Sequence, residues 1–225
     1  GALGALAGPV GLVVGAASLL KGAFSRTYDS TTFHGNVMAD GFHGYQEVHY
    51  KGSTFKSGKS IYSELPEEIQ GAMEEGVGAI REGVEGMADT LGLAQDALDD
   101  FIGFKFHFRY GSGYDEEQLQ EYLQEQLGKL ADGLADTLFD ASAFAKDGET
   151  SSQVLERLST SLTGVNTAFD LLGLQLKDVG LIGADAASSL VDFFGGLEGF
   201  TSSTAAYYQG FYSDAERTAK ATELL

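Results

Sequence analysis

The stretch FKFHFRY sets Phe104, Phe106, Phe108 and Tyr110 in strict alternation with Lys105, His107 and Arg109. A period of two belongs to the β-strand, so the aromatics go to one sheet face and the cations to the other. An aromatic face has to be covered, and this one feature therefore demands a sheet with a layer packed on it.

Partners for that strand lie upstream in residues 27–62. TTFHGNV, YQEVHY and TFKSGKSIY are rich in Phe, Tyr, Val and Thr and are separated by ADG and KGS, glycine punctuation typical of turns. Four short strands in a small antiparallel sheet are predicted.

Elsewhere the period changes to that of a helix. From Glu67 to about Asp100, Met73, Val77, Ile80, Val84, Met87 and Leu91 recur at alternating steps of four and three. Residues 64–100 hold eleven acidic side chains and one basic one, Arg81, so the rest of this helix faces water or a cationic partner. Gly71, Gly76, Gly78, Gly83 and Gly86 each cost a helix about 1 kcal/mol relative to alanine. Such a helix needs a packing partner, and Met73, Val77, Ile80 and Val84 are expected to form a seam between copies of the chain.

Leu119, Leu123, Leu127, Leu130 and Leu134 share one face of a second helix. Thr150 with Gln153 forms a capping box that starts a third, carrying Leu158, Leu162, Val165, Phe169 and Leu172. Shorter helices are predicted over 183–194 and 197–212, with Tyr207, Tyr208, Phe211 and Tyr212 clustered about one turn apart. The expected fold is α+β, mainly α, with amphipathic, coiled-coil-like helices flanking the sheet. It divides into an apolar segment at 1–22, a strand region with its acidic helix at 23–112, and a helical region at 113–225.

Residues 1–20 contain no charge, and glycine falls at Gly1, Gly4, Gly8, Gly11 and Gly15. Steps of three and four average 3.5 residues, the repeat that keeps one side of a helix against a partner, and small residues there let backbones approach closely. A flexible linker would use serine and polar residues where this segment has Leu, Val and Ala. Twenty residues at 1.5 Å rise span about 30 Å, enough for a bilayer core, with Leu12 placed near its middle. No basic region or initiator methionine precedes the segment, which argues against a secretory signal and leads to the expectation of a chain that begins inside a longer protein.

Thirty-three acidic against fourteen basic residues give a formal charge of −19. A chain so charged repels phosphate backbones, which disfavours sequence-specific nucleic-acid binding. The absence of cysteine removes disulfides, thiolate metal sites and cysteine nucleophiles. GSTFKSGKS has five residues between Gly52 and Gly58 where a phosphate-binding loop needs four, so Lys56, Lys59 and Ser60 read as exposed hairpin residues. His34, His43, His49 and His107 all fall in predicted strands or nearby turns. None has the helical spacing of a hydrolase zinc site, and they read as sheet-face residues. No nucleophile elbow occurs, and the acidic pairs Asp99–Asp100 and Glu116–Glu117 sit in charge-dense segments where a solvated face is the default. No catalytic constellation, cofactor motif or metal site emerges, and an enzyme is not expected.

STSLTGVNTAFDLLG, followed by GADAASSLVDFFGGLEGFTSSTAAYYQGFYSDAERT, resembles the C-terminal region of tail-length tape-measure proteins of long-tailed bacteriophages. The glycine-rich apolar opening, the GFHGYQEVHYKGSTFKSGKSIYS hairpin and the EGMADTLGL helix are similar to the same region, so the likeness covers most of 1–217. The resemblance implies a virion protein held in copies inside the distal tail tube. It would plug and anchor in the tail tip, and leave ahead of the genome to help it cross the host envelope. Together with the seams it implies a homo-oligomer, expected to be a trimer. Tyr207, Tyr208, Phe211 and Tyr212 would then dock on the tail-tip hub or baseplate proteins, or else pack in the chain's own core. Gly4, Gly8, Gly11 and Gly15 would pack the apolar helices before it enters the host membrane. Even fully helical, 225 residues span only about 340 Å, so a ruler segment is expected upstream. Two other readings stand beside this one: a membrane-permeabilising pore former, and a cell-wall hydrolase, which would need an acid/base pair not found here.

Overall fold

A computed structural model describes residues 31–50, 57–101, 103–110 and 116–223. The expected apolar helix, with Gly4, Gly8, Gly11, Leu12 and Gly15, lies outside the described residues, as does Lys56. Among the described residues the protein is α+β and mainly helical, with one four-stranded antiparallel sheet.

The strands are β1 (Thr31–Met38), β2 (Gly41–Tyr50), β3 (Lys59–Glu64) and β4 (Phe104–Tyr110), in the order β3-β2-β1-β4. β1 and β2 form a hairpin in which Val37 pairs with Phe42 and Met38 with Gly41 across the Ala39–Asp40 turn. β4 joins the far side of β1, with Phe106 opposite Gly35 and His107 opposite His34. The alternation predicted for β4 holds: Phe106 is buried, and Lys105, His107 and Arg109 are exposed. Phe33, Val37, Phe42 and Phe106 build the inner face. Gly35 is needed for that face, because a Cβ there would sit 2.5 Å from the tip of the Phe106 ring. The third strand starts at Lys59, later than predicted.

Helix α1 (Glu67–Thr90) covers the inner face beside β2, and α2 (Glu116–Leu138) packs on α1 and touches β4. The seam of α1 is buried throughout, from Met73 and Val77 through Ile80 and Val84 to Met87 and Leu91. This corrects the expectation that Met73, Val77, Ile80 and Val84 join copies of the chain. They are filled by the chain's own sheet and helices, so no apolar seam is left for a second copy on that side. The helix also ends about ten residues before the expected point. Gly92, at φ 64, turns the chain out of the helix, and a 3-10 segment, Gln95–Asp100, leads back to β4.

Leu123, Leu127, Leu130 and Leu134 bury one face of α2. Helix α3 (Ser151–Leu171) lies against both α1 and α2, and buries Val154, Leu155, Leu158, Leu162 and Val165. Its N-terminus has the predicted capping box: the Thr150 N–H donates to Gln153 Oε1 at 3.0 Å. Two carboxylates from α2 add to it. Asp132 accepts from the Ser152 N–H at 3.0 Å and from its hydroxyl at 2.6 Å, and Asp136 accepts from the Ser151 hydroxyl. Negative charge at a helix N-terminus is favoured by the helix dipole.

Helices α4 (Leu181–Phe193) and α5 (Leu197–Phe211) pack on α3, and α6 (Asp214–Glu223) follows. Arg157 of α3 binds Glu149 through Nε at 2.7 Å and Nη2 at 2.9 Å, and it also donates to the Phe144 carbonyl and to Ser188 of α4. One hydrophobic cluster runs from Phe33 and Phe106 through the α1, α2 and α3 seams to Val191 and Phe200. The core thus joins the strand region to the helical region. Among the described residues, no helix is long and apolar enough to cross a membrane.

Candidate functional site

An apolar cleft lies where α3 ends and α4 and α5 meet. Helix α5 is amphipathic in an unusual sense. Phe200 and Thr204 are buried against the body of the protein, while Tyr207 and Phe211, further along the same face of the helix, are exposed. Between α5 and the end of α3 opens a cleft of about 450 Å³ lined by Phe169, Leu172, Leu174, Leu190, Phe194, Phe200, Ser203, Thr204, Tyr207 and Tyr212.

The walls are fixed by specific bonds. The Tyr212 hydroxyl donates to the Leu172 carbonyl at 2.7 Å, tying the end of α5 to the end of α3. Asn166 holds the loop that carries Leu174: its amide donates to the Lys177 carbonyl at 3.1 Å, and its side-chain oxygen accepts from the Lys177 N–H at 2.7 Å. Phe194 meets Phe200 edge-to-face at 5.5 Å between ring centroids, a favoured aromatic geometry. Tyr207 stacks on Phe211 at 4.6 Å, and Tyr208 lies beside Tyr212 at 4.8 Å. The predicted aromatic cluster therefore divides. Tyr212 is a structural tie, Tyr208 is half-buried, and Tyr207 and Phe211 are presented to solvent.

At the rim of the cleft Phe193 meets Phe194 and Phe211 stacks on Tyr207. Phe193 is 83% exposed and Phe211 76%, and Leu174, Leu176, Val179 and Ile182 are also exposed. Scattered exposed hydrophobics are ordinary, whereas a contiguous patch rimming a cleft marks an interaction site. Among the described residues no carboxylate, imidazole or amine lines the cleft, and the Thr204 hydroxyl is spent on the Phe200 carbonyl at 2.9 Å. The arrangement suits apolar side chains.

Phe193 and Phe194 escaped the sequence reading, although two adjacent phenylalanines before Gly195–Gly196 cannot both face inward from the end of a helix. That was the available signal. Leu174 and Leu190 had none, because the cleft they line exists only once α3, α4 and α5 are packed.

At the opposite end, the outer face of the sheet gathers all four histidines. His34 stacks on Tyr45 at 4.6 Å between centroids, lies 6.0 Å from His107, and contacts Glu47 at 3.3 Å. Glu47 also accepts from the Tyr62 hydroxyl at 3.3 Å. Hydrogen bonds from Ser60, and then from His34 and Tyr62, hold the Glu47 carboxyl below the usual carboxylate range. His49 pairs with Ser60 and His43 with Asp40. Lys59 is exposed and Ser60 half-exposed on β3, in agreement with a hairpin and not a phosphate loop. Among the described residues no cluster of three or more His, Asp or Glu is placed to hold a metal ion.

The chain matches no family model, and comparison with curated proteins and with solved structures returns no match.

Proposed function

We propose that this chain is the C-terminal part of a phage tail tape-measure protein, acting in tail assembly and genome ejection. The aromatic cleft between α3 and α5 would be the surface that anchors it in the tail tip. The observation that carries this reading is the exposure of Tyr207, Phe211 and Phe193 around an apolar cleft. Large aromatics dominate interface energies when a partner desolvates them. The partner that fits is an apolar helix or strand of the tail-tip hub, inserted between α3 and α5. The sequence resemblance supplies the biological setting, and the acidic surface suits a protein that must not adhere to the DNA passing behind it.

On this reading the chain assembles as a homo-oligomer, a trimer by the resemblance, with coiled-coil packing supplied by segments outside the described residues. The segment 1–22 would pack through Gly4, Gly8, Gly11 and Gly15 and then enter the host membrane. The test is a phage carrying Tyr207→Ser with Phe211→Ser. Tails should fail to initiate while the purified chain keeps its cooperative melt. Normal tail yield from the double variant would sink the anchoring role of the cleft.

A further inference from the structure

The apolar cleft calls for a cover, and the chain's own sequence contains a segment of matching chemistry. Phe169, Leu172, Phe200 and Tyr207 are among the residues that line the cleft, and no charged side chain of the described residues enters it. Residues 1–20 are the longest run of the chain without a charge. From Pro9 on, Val10, Val13, Ala17 and Leu20 recur at steps of three, four and three, the spacing of one helix face, while Gly11, Gly15 and Ser18 fall on the other side. Proline is accepted in the first turn of a helix. Aliphatic anchors at this spacing are what an apolar groove between helices receives.

We infer that residues 10–20 of the same chain cover the cleft, with Val10, Val13, Ala17 and Leu20 on its aromatic lining. Charge favours this occupant over a second copy. A formal charge of −19 opposes the approach of another whole chain, whereas an uncharged segment already attached brings no repulsion to the contact. Reach favours it as well. Residues 21–30 join Leu20 to Thr31 at the start of β1, and a tether of that length extends to about 33 Å. A folded chain of this size has a radius of gyration of about 17 Å, so the tether spans most of the body. It holds the segment near the cleft at a concentration on the order of millimolar, well above that of a free partner of the same chemistry. The inference rests on the reading of the cleft as a docking surface and names what occupies it before a partner arrives. A hub helix and the segment then compete for one cleft, so docking in the tail tip displaces the segment and frees it to pack with other copies or to enter the host membrane.

The chain has no cysteine, so an introduced disulfide can report the contact. Ser203 lines the cleft, and Ser60 lies on the sheet beside His49. In the purified full chain, Ala17→Cys with Ser203→Cys should oxidise to a bond within one chain at least tenfold faster than Ala17→Cys with Ser60→Cys. Adding Val10→Asp with Val13→Asp should slow the bond at Ser203 by at least the same factor while the chain keeps its cooperative melt. Equal rates for the two cysteine pairs would overturn the proposal, and so would a rate that the aspartates leave unchanged. A bond at Ser203 that forms between two chains, seen as a dimer on a non-reducing gel, would assign the cleft to a second copy and overturn it too. The phage test of Tyr207→Ser with Phe211→Ser reads a different quantity. Normal tail yield there with a fast bond here would remove the hub and keep the segment, whereas failed tails with a slow bond would remove the segment alone.

Discussion

Helices α1 and α5 both carry apolar residues that read as contact surfaces for another molecule, and the fold treats them in opposite ways. In α1 the apolar residues follow one regular seam, and every member is buried in the chain itself. In α5 Phe200, Thr204, Tyr207 and Phe211 follow the same four-three steps, but only Phe200 and Thr204 are buried, and Tyr207 and Phe211 carry the line on into solvent. A regular four-three seam is what a helix needs to sit on its own core. Aromatics that carry a seam past the end of the chain's own core are left uncovered, and these are the candidates for a partner.

Val84→Asp would test the α1 side most severely. Val84 is fully buried, so an unpaired carboxylate there should abolish the cooperative melt, a loss of more than about 4 kcal/mol. A Val84→Asp chain that melts normally would show that α1 is not a core helix.

Arg157→Met sharpens the comparison, because Arg157 ties α3 to α4 by polar bonds beside their apolar contact. Losing its bonds to Glu149, Phe144 and Ser188 should cost about 1.5–3 kcal/mol in denaturant unfolding. The pair also sets a pH dependence. The Arg157 hydrogen bonds, with the Lys146 N–H and the nearby positive charges, hold Glu149 below its ordinary value. A folded value below the unfolded one contributes stability above the unfolded value, and that stability is lost as pH falls through the folded one. The advantage of the wild type over Glu149→Gln should therefore shrink below about pH 4.5. An advantage that is flat with pH would remove Glu149 from the network.

Gly35→Ala tests the sheet that α1 covers. Its new Cβ would press on the Phe106 ring at 2.5 Å, and overpacking of this kind costs about 1–3 kcal/mol. A thermal melt that is unchanged would mean the ring moves aside freely. The smallest effect belongs to α5: Phe211→Ser should change stability by no more than about 0.5 kcal/mol, since Phe211 is largely exposed. A larger loss would place Phe211 in the core and remove the contrast between the two helices.

Much of this could be read from residue order alone. Period two placed β4 and its two faces, period 3.6 placed α1, α2 and α3 with their buried residues, and Thr150 with Gln153 placed the start of α3. These features are legible because each depends on neighbours within one or two turns. The end of α1 at Thr90 was missed, because acidic residues continue past it and only Gly92, one glycine among many, turns the chain.

What α1 packs against was also beyond the sequence. A seam states that a partner exists, but one within the chain and one on another chain leave the same pattern, and the long-range placement of the sheet, α2 and α3 decided between them. The aromatic cleft belongs to the same class. Exposure of Tyr207 depends on residues tens of positions away, and only the packed structure brings those residues near or leaves them out of reach.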